Sequence, residues 1–312
     1  MRDSRISWSQ DLAWRFEALA FDVFNALMRL IPVDLASDLG GRLFRWIGPL
    51  TRTHRLASQN LVLAFPDHDE AWRQKILGDQ WESNGRTAFE FPQMDRIRPS
   101  TGRVELVGGE RLKEIARSGK PVVFVSGHFS NWEVMPAAIV DSGVVCQMTY
   151  RAANNPYVDR RIKESRYRYG VRLFAPKGGD GARELLEAMK KGESVALMND
   201  QKFNRGGVAV PFFGRPVMAA PGPTRLALRF GTVLQPMSVQ RLKGARFRAV
   251  VHPPITVPDT GDKTADIAAG VAAVTRFVES QVRERPEEWF WVHRRWPKEA
   301  YQELAERGLF GP

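Results

Sequence analysis

From residue 104 onward the chain alternates short apolar runs, rich in β-branched residues, with longer stretches of helical period. The runs at 104–107, 122–125, 144–150, 171–174, 195–198, 208–212, 233–240 and 247–251 predict strands. Between them, 110–118, 131–141, 156–169, 180–191, 223–230 and 265–285 predict helices. Such alternation predicts an α/β fold with a mixed, largely parallel central sheet flanked by helices. Residues 55–98 read as helices broken at Phe65-Pro66-Asp67, the second starting at Asp69 or Glu70. No internal repeat is present, and the one linker-like stretch is 253–263.

The N-terminus has a different pattern. Leu12, Phe16, Leu19, Val23, Leu27 and Leu30 recur at helical spacing, with Trp8, Trp14, Phe21 and Phe24 adding aromatic bulk. Arg15, Glu17, Asp22 and Arg29 interrupt the stretch, which argues against a membrane span, and no cleavage-site pattern marks a signal peptide. Two readings remain: an amphipathic helix in the membrane interface, or a helix docked on the protein's own core. The first gives a division into a membrane-associating helical segment, 1–50, and an α/β domain, 51–312.

Composition narrows the partners. The formal net charge of +11 over 312 residues favours a polyanion: nucleic acid, an anionic membrane surface, a phosphorylated lipid or an acidic carrier protein. The single cysteine, Cys146, excludes an internal disulfide framework and a cysteine-based zinc cluster. It lies in an apolar run, where a thiol is inert packing.

Candidate chemistry gathers where apolar strands end. PVVFVSGHFSNWE, residues 121–133, carries a buried strand through Gly127 into His128, at the sheet edge where open α/β folds place ligands. On one continuous helix, His128 and Glu133 would be about 140° apart and could not meet. With a helix starting near Ser130, Glu133 can reach back to an imidazole nitrogen and orient a histidine base. Equally, Ser130 and Glu133 have the spacing of a capping box, in which the acid serves only the backbone. Asp200 follows the apolar run 195–198 at another carboxyl edge, either as a second polar wall of the same cleft or as a loop cap. Residues 150–172 are strongly basic, with Arg151, Arg160, Arg161, Lys163, Arg166, Arg168 and Arg172. On a helix from Pro156, Arg161, Arg168 and Arg172 share a face and Arg166 points elsewhere. That face is a phosphate-binding wall or simply a solvated helix surface. Phosphate-loop, dinucleotide-glycine, HExxH and GxSxG patterns are absent from the sequence.

Several ordered blocks resemble the late acyltransferases of lipid A biosynthesis, within the glycerolipid acyltransferase-like superfamily. GHFSNWE resembles the family's GHxGNWE, with Ser130 where glycine is common; DQKFNRGGVAVPFFGRP resembles its DQ…V-x-FFG block. PEEWFWVHRRW resembles its terminal PEQ-x-x-W-x-HRR segment, and YRAANNPYVDRRIKESR its YR-x-x-x-NP segment. The resemblance spans about residues 10–297. It implies transfer of a fatty acyl group from an acyl carrier protein thioester to a hydroxyl of a phosphorylated glucosamine lipid, at the cytoplasmic face of the inner membrane. It implies no metal, organic cofactor or nucleic acid. His128 and Glu133 match the family's catalytic dyad, while Arg151, Arg166 and Asp200 match substrate-binding positions. Two alternatives remain: an acyltransferase for another phospholipid or glycolipid, and a non-enzymatic basic protein binding membrane or RNA.

Overall fold

The computed structural model describes residues 7–173, 179–203 and 206–310. Phe174, which closes one expected strand, and Asn204 and Arg205 of the 199–214 block lie outside the described residues. Among the described residues, seven strands form the central sheet. Their spatial order is β1 (Val104–Val107), β9 (Phe247–Val251), β8 (Leu234–Arg241), β2 (Val123–Ser126), β5 (Ser194–Met198), β3 (Cys146–Met148) and β4 (Arg172–Leu173). Every neighbouring pair is parallel except β8–β9. The expected mixed, largely parallel sheet is therefore the fold.

The continuous apolar character of β2 follows from its central place. Val123 and Val125 pack on one face with Val195, Leu226, Leu234 and Val274, while Phe124 packs on the other with Val134, Met135 and Ile139. Burying a side chain such as Phe124 contributes about 1.5–3 kcal/mol. The flanking helices include α5 (Gly109–Ser118), α6 (Val134–Asp141), α8 (Gly179–Lys190), α9 (Gly222–Phe230) and α10 (Lys263–Glu284).

Two expectations change. The run 208–212 is β6 (Val208–Phe212), but it pairs antiparallel with β7 (Arg215–Ala219) in a separate hairpin rather than joining the central sheet. β7 is not among the strands that the apolar runs predict, since Arg215 and Pro216 interrupt its apolar pattern. Phe213 (φ 51°) and Gly214 (φ 71°) make a two-residue turn with both φ positive, the twist that suits a hairpin. Pro216 sits opposite Pro211, which a two-stranded ribbon with exposed edges tolerates.

At the N-terminus, α1 (Trp8–Leu30) is followed by a helix that the reading had not separated, α2 (Val33–Ile47), then α3 (Arg52–Ala64) and α4 (Glu70–Glu90). Ser7 and Asp69 cap α1 and α4 by accepting from Gln10 N and Trp72 N. At the α2–α4 crossing the backbones nearly touch: a Cβ on Gly40 would lie 2.3 Å from the Gly85 carbonyl oxygen, so a larger residue would force the helices apart. Acidic residues of α1 hold it to α7 (Pro156–Arg168) and its cap. Asp22 accepts from Arg161, Asp11 accepts from the Tyr157 hydroxyl, and Glu17 accepts from Asn155. Its apolar row of Leu12, Phe16, Leu19, Val23, Leu27 and Leu30 is exposed. Among the described residues no helix is long and apolar enough to cross a membrane.

Candidate active site

Sheet register brings the two sheet-edge candidates together. Ser126 at the end of β2 pairs with Met198 at the end of β5, and His128 and Asp200 each lie two residues further on. Asn199 N donates to the Ser126 carbonyl at 2.8 Å, extending the ladder one step and turning both chains into the same space. There His128 Nδ1 lies 2.8 Å from Asp200 Oδ1, and His128 N donates to Asp200 Oδ2 at 2.8 Å. A third donor, Trp289 Nε1, reaches Asp200 Oδ2 at 2.8 Å.

Glu133 does neither thing that its spacing suggested. Helix α6 starts at Val134, later than the expected 131, and the Glu133 side chain makes no cap bond, so the capping box does not form. Nor does Glu133 hydrogen-bond the imidazole, whose Nδ1 is taken by Asp200. Its carboxylate instead accepts from Arg166 Nε at 2.9 Å, from Arg166 Nη2, and from the Tyr169 hydroxyl at 3.1 Å. Ser130 explains the displacement. It adopts φ 48°, a left-handed conformation suited to glycine, and the turn this makes delays the helix. The turn is held by Ser130 N donating to the Glu288 carbonyl at 2.7 Å.

Burial and partners set the charge states. Asp200 is wholly enclosed, which works against ionisation, but the His128 imidazole and the donated N–H groups overcome this and hold its carboxyl far below the usual range. Burial likewise disfavours imidazolium at His128; Asp200, with Glu133 adding a weaker field, raises its pKa above the ordinary histidine value. Burial also opposes charge on Glu133, and Arg166 and Tyr169 reverse that, leaving it depressed. His293 is held below its ordinary value by burial and Arg295 is pushed down to about 10 by the same cause. Burial pushes the Cys146 thiol up, consistent with inert packing.

Several cations of the basic segment are engaged within the protein. Arg161 pairs with Asp22, Arg172 lies 3.6 Å from Glu193, Arg160 pairs with Glu164, and Arg168 bonds Ser165. Arg166 does point away from that face, and its fork is engaged by Glu133. Arg151 lines a cavity of about 150 Å³ with His128, Thr149 and Tyr150. Beside it lies an apolar cavity of about 500 Å³ lined by Phe21, Phe44, Trp81, Phe91, Ile162 and Phe290. Trp132, Glu133 and Arg166 border both.

One expected result follows from the Glu133–Arg166 pair. Arg166→Ala leaves a buried carboxylate without its countercharge and should destabilise the protein by about 3–5 kcal/mol, measured by denaturant unfolding. Arg166→Lys should recover only part of this, because a single ammonium cannot reproduce the two-pronged contact. Glu133→Gln in the Arg166→Ala background should restore most of it. Because the Glu133 pKa is depressed on folding, the pair's contribution is present above the unfolded carboxyl pKa and lost as pH falls through the folded one.

Sequence reasoning missed Trp289, Phe290, His293 and Tyr169. Phe290 N donates to the His128 carbonyl at 3.1 Å, Phe129 and Trp289 form a β-bridge, and His293 Nε2 lies 3.4 Å from the Asp200 carbonyl. The dense aromatic and basic pattern of 286–296 was the available signal.

The profile of the bacterial lipid A biosynthesis acyltransferases matches residues 10–298, which include every element of this site. The chain belongs to that family. A lipid A biosynthesis acyltransferase of Haemophilus influenzae is 25% identical over 86% of this chain and 84% of its own length. A lipid A biosynthesis palmitoleoyltransferase of Escherichia coli K12 is 25% identical over 85% of this chain and 86% of its own. A phosphatidylinositol mannoside acyltransferase of Mycobacterium tuberculosis is 24% identical over 84% of this chain and 81% of its own. As a member of that family the chain is an acyltransferase, and the non-enzymatic alternative falls.

Proposed function

We infer that this acyltransferase moves a fatty acyl group from an acyl carrier protein thioester to a hydroxyl of a phosphorylated glucosamine lipid. The observation that carries the reading is the His128–Asp200 pair, set at the edge of a polar cavity that shares a wall with an apolar one. Nδ1 of His128 is engaged by Asp200, which leaves Nε2 as the basic nitrogen. It takes the proton of the acceptor hydroxyl as that oxygen attacks the thioester carbonyl carbon. Collapse of the tetrahedral intermediate breaks the C–S bond, and the imidazolium returns the proton to the departing thiolate. Asp200 stabilises the imidazolium directly and Glu133 adds a longer-range field. The apolar cavity takes the acyl chain, while Arg151, with no ion-pair partner among the described residues, offers a cation to phosphate beside the base. The co-substrate thioester supplies the activated carbon, and the proposed step uses no further cofactor.

Purified enzyme in detergent, given labelled acyl carrier protein and a panel of lipid acceptors, tests the reading. Product on the phosphorylated glucosamine lipid alone supports it. The mycobacterial relative favours one second acceptor, a mannosylated inositol lipid, and acylation of that member alone would replace the first.

Membrane attachment at the cytoplasmic face of the inner membrane belongs to the same reading, with 1–50 as the attaching segment and 51–312 as the catalytic domain. The exposed row on α1 has a companion on α2 and just beyond it, Leu35, Leu39, Leu43, Trp46 and Leu50, with Trp8 and Trp46 most exposed among the tryptophans. Apolar faces bearing tryptophan, on a protein of net charge +11, suit an anionic interface. Replacing Phe16, Leu19 and Val23 together by Asp should move the protein into the soluble fraction after cell lysis. Unchanged, salt-resistant sedimentation with membranes would sink the assignment.

A further inference from the structure

Asp200 has two oxygens and three donors, and the donors are not equivalent. His128 contributes two of them, its ring nitrogen to Oδ1 and its backbone nitrogen to Oδ2, both from one residue. The third, Trp289 Nε1 on Oδ2, comes from a segment 89 residues away. Two contacts from a single residue allow the carboxylate to follow that residue as it moves. A third contact from another direction fixes the plane of the carboxylate.

The indole is itself held. Trp289 is fully buried and packs against Trp291 at 4.6 Å, His293 at 5.1 Å and Phe212 at 5.7 Å between ring centres. Its backbone forms a bridge with Phe129, and the residues on either side bond the catalytic turn: Ser130 N donates to the Glu288 carbonyl and Phe290 N to the His128 carbonyl. A closed circuit results: His128 to Asp200, Asp200 to the Trp289 indole, and Trp289 back to the residue after His128. We propose that Trp289 is a positioning residue for catalysis, its indole N–H holding the Asp200 carboxylate in the plane that orients the His128 base. The proposal rests on the reading of His128 as base and adds a residue that the matched motif does not single out.

A substitution that removes the indole N–H should have two consequences. Asp200 becomes free to turn, so the base is less often aligned. Its charge is also less dispersed, so it favours imidazolium more strongly. The other titratable or charged groups facing this pair are His293 and Arg295 on Asp200 and Glu133 on His128, and none of them is changed. Because the base must be neutral to act, the acidic limb of kcat/KM should move to higher pH.

The test uses the full chain with acyl carrier thioester and the acceptor found by the panel. Trp289→Phe should lower kcat by about 10-fold, the scale of one hydrogen bond to a charged group, with KM changed less, and should raise the pH of the acidic limb. Trp296→Phe is the control. Trp296 is equally buried and packs on Phe212, away from the Asp200 carboxylate and with no ring contact to Trp289 among the described residues. It should lower thermal stability without moving the limb. In an Asp200→Asn background, Trp289→Phe should cost little further activity, whereas a merely structural role would add its full loss. A Trp289→Phe enzyme with a wild-type limb and kcat, or equal limb shifts in both tryptophan variants, would overturn the proposal. If Trp289→Phe does not fold, the wild-type enzyme labelled with ¹⁵N-tryptophan decides. One of its nine indole resonances should titrate together with the activity limb, and none doing so overturns the proposal. Failure of the base reading is seen separately, as wild-type turnover in His128→Ala.

Discussion

His128→Ala is expected to reduce acyl transfer by about 10²–10⁴-fold or more while the protein keeps its fold. Among the described residues lining the polar cavity, the imidazole is the one group with a nitrogen free to take a proton, and its effect is felt in the transition state. Some stability is lost with it, because Asp200 Oδ1 is left buried without its donor at a cost of about 1–3 kcal/mol. Circular dichroism at the assay temperature separates this from loss of chemistry. The same experiment addresses covalent catalysis. Cys146 is buried with its thiol pushed up, so enzyme mixed with acyl carrier thioester alone should show no added acyl mass. A stable adduct on Cys146 or on a serine, or wild-type turnover in the alanine variant, would remove direct attack.

Asp200→Asn should be nearly as damaging, with a loss of about 10³–10⁴-fold in kcat, by analogy with removal of the orienting acid in a serine protease triad. Asparagine fills the same volume but presents no charge to the imidazolium. Its amide can also face Nδ1 as a donor, which forces the wrong tautomer. With the raising effect of Asp200 gone, the His128 pKa falls, so whatever activity remains should extend to lower pH than in the wild type. Glu133→Gln is the comparison. Glu133 acts on His128 through space and is bonded to Arg166 and Tyr169, so its loss should be clearly smaller. Should Glu133→Gln prove the more damaging of the two, Glu133 and not Asp200 would be the working partner of the base.

The contrast between those two acids marks where local reading ends. The apolar runs of β2 and β5, the glycine after one and the polar residue after each placed His128 and Asp200 at carboxyl edges of a sheet, because a strand buried on both faces is apolar along most of its length. The six-residue row along α1 was equally plain, since helical period and side-chain type suffice to write it. Register was not available in the same way. That Ser126 faces Met198, and so that His128 meets Asp200, depends on how two strands 72 residues apart align, which no local pattern specifies. The spacing of Glu133 from His128 left a dyad and a capping box both open, and the resemblance favoured the dyad, but the left-handed turn at Ser130 sends Glu133 to Arg166, a partner 33 residues away. Arg161, Arg168 and Arg172 read as either a phosphate wall or a solvated face, because the sequence does not show that Asp22 of α1 would lie against Arg161. Trp289 could be seen only as one more aromatic residue. Its indole N–H acquired a role when the terminal segment was laid across the catalytic turn, because hydrogen-bond partners are chosen by distance in space and the chain between them is free to be long.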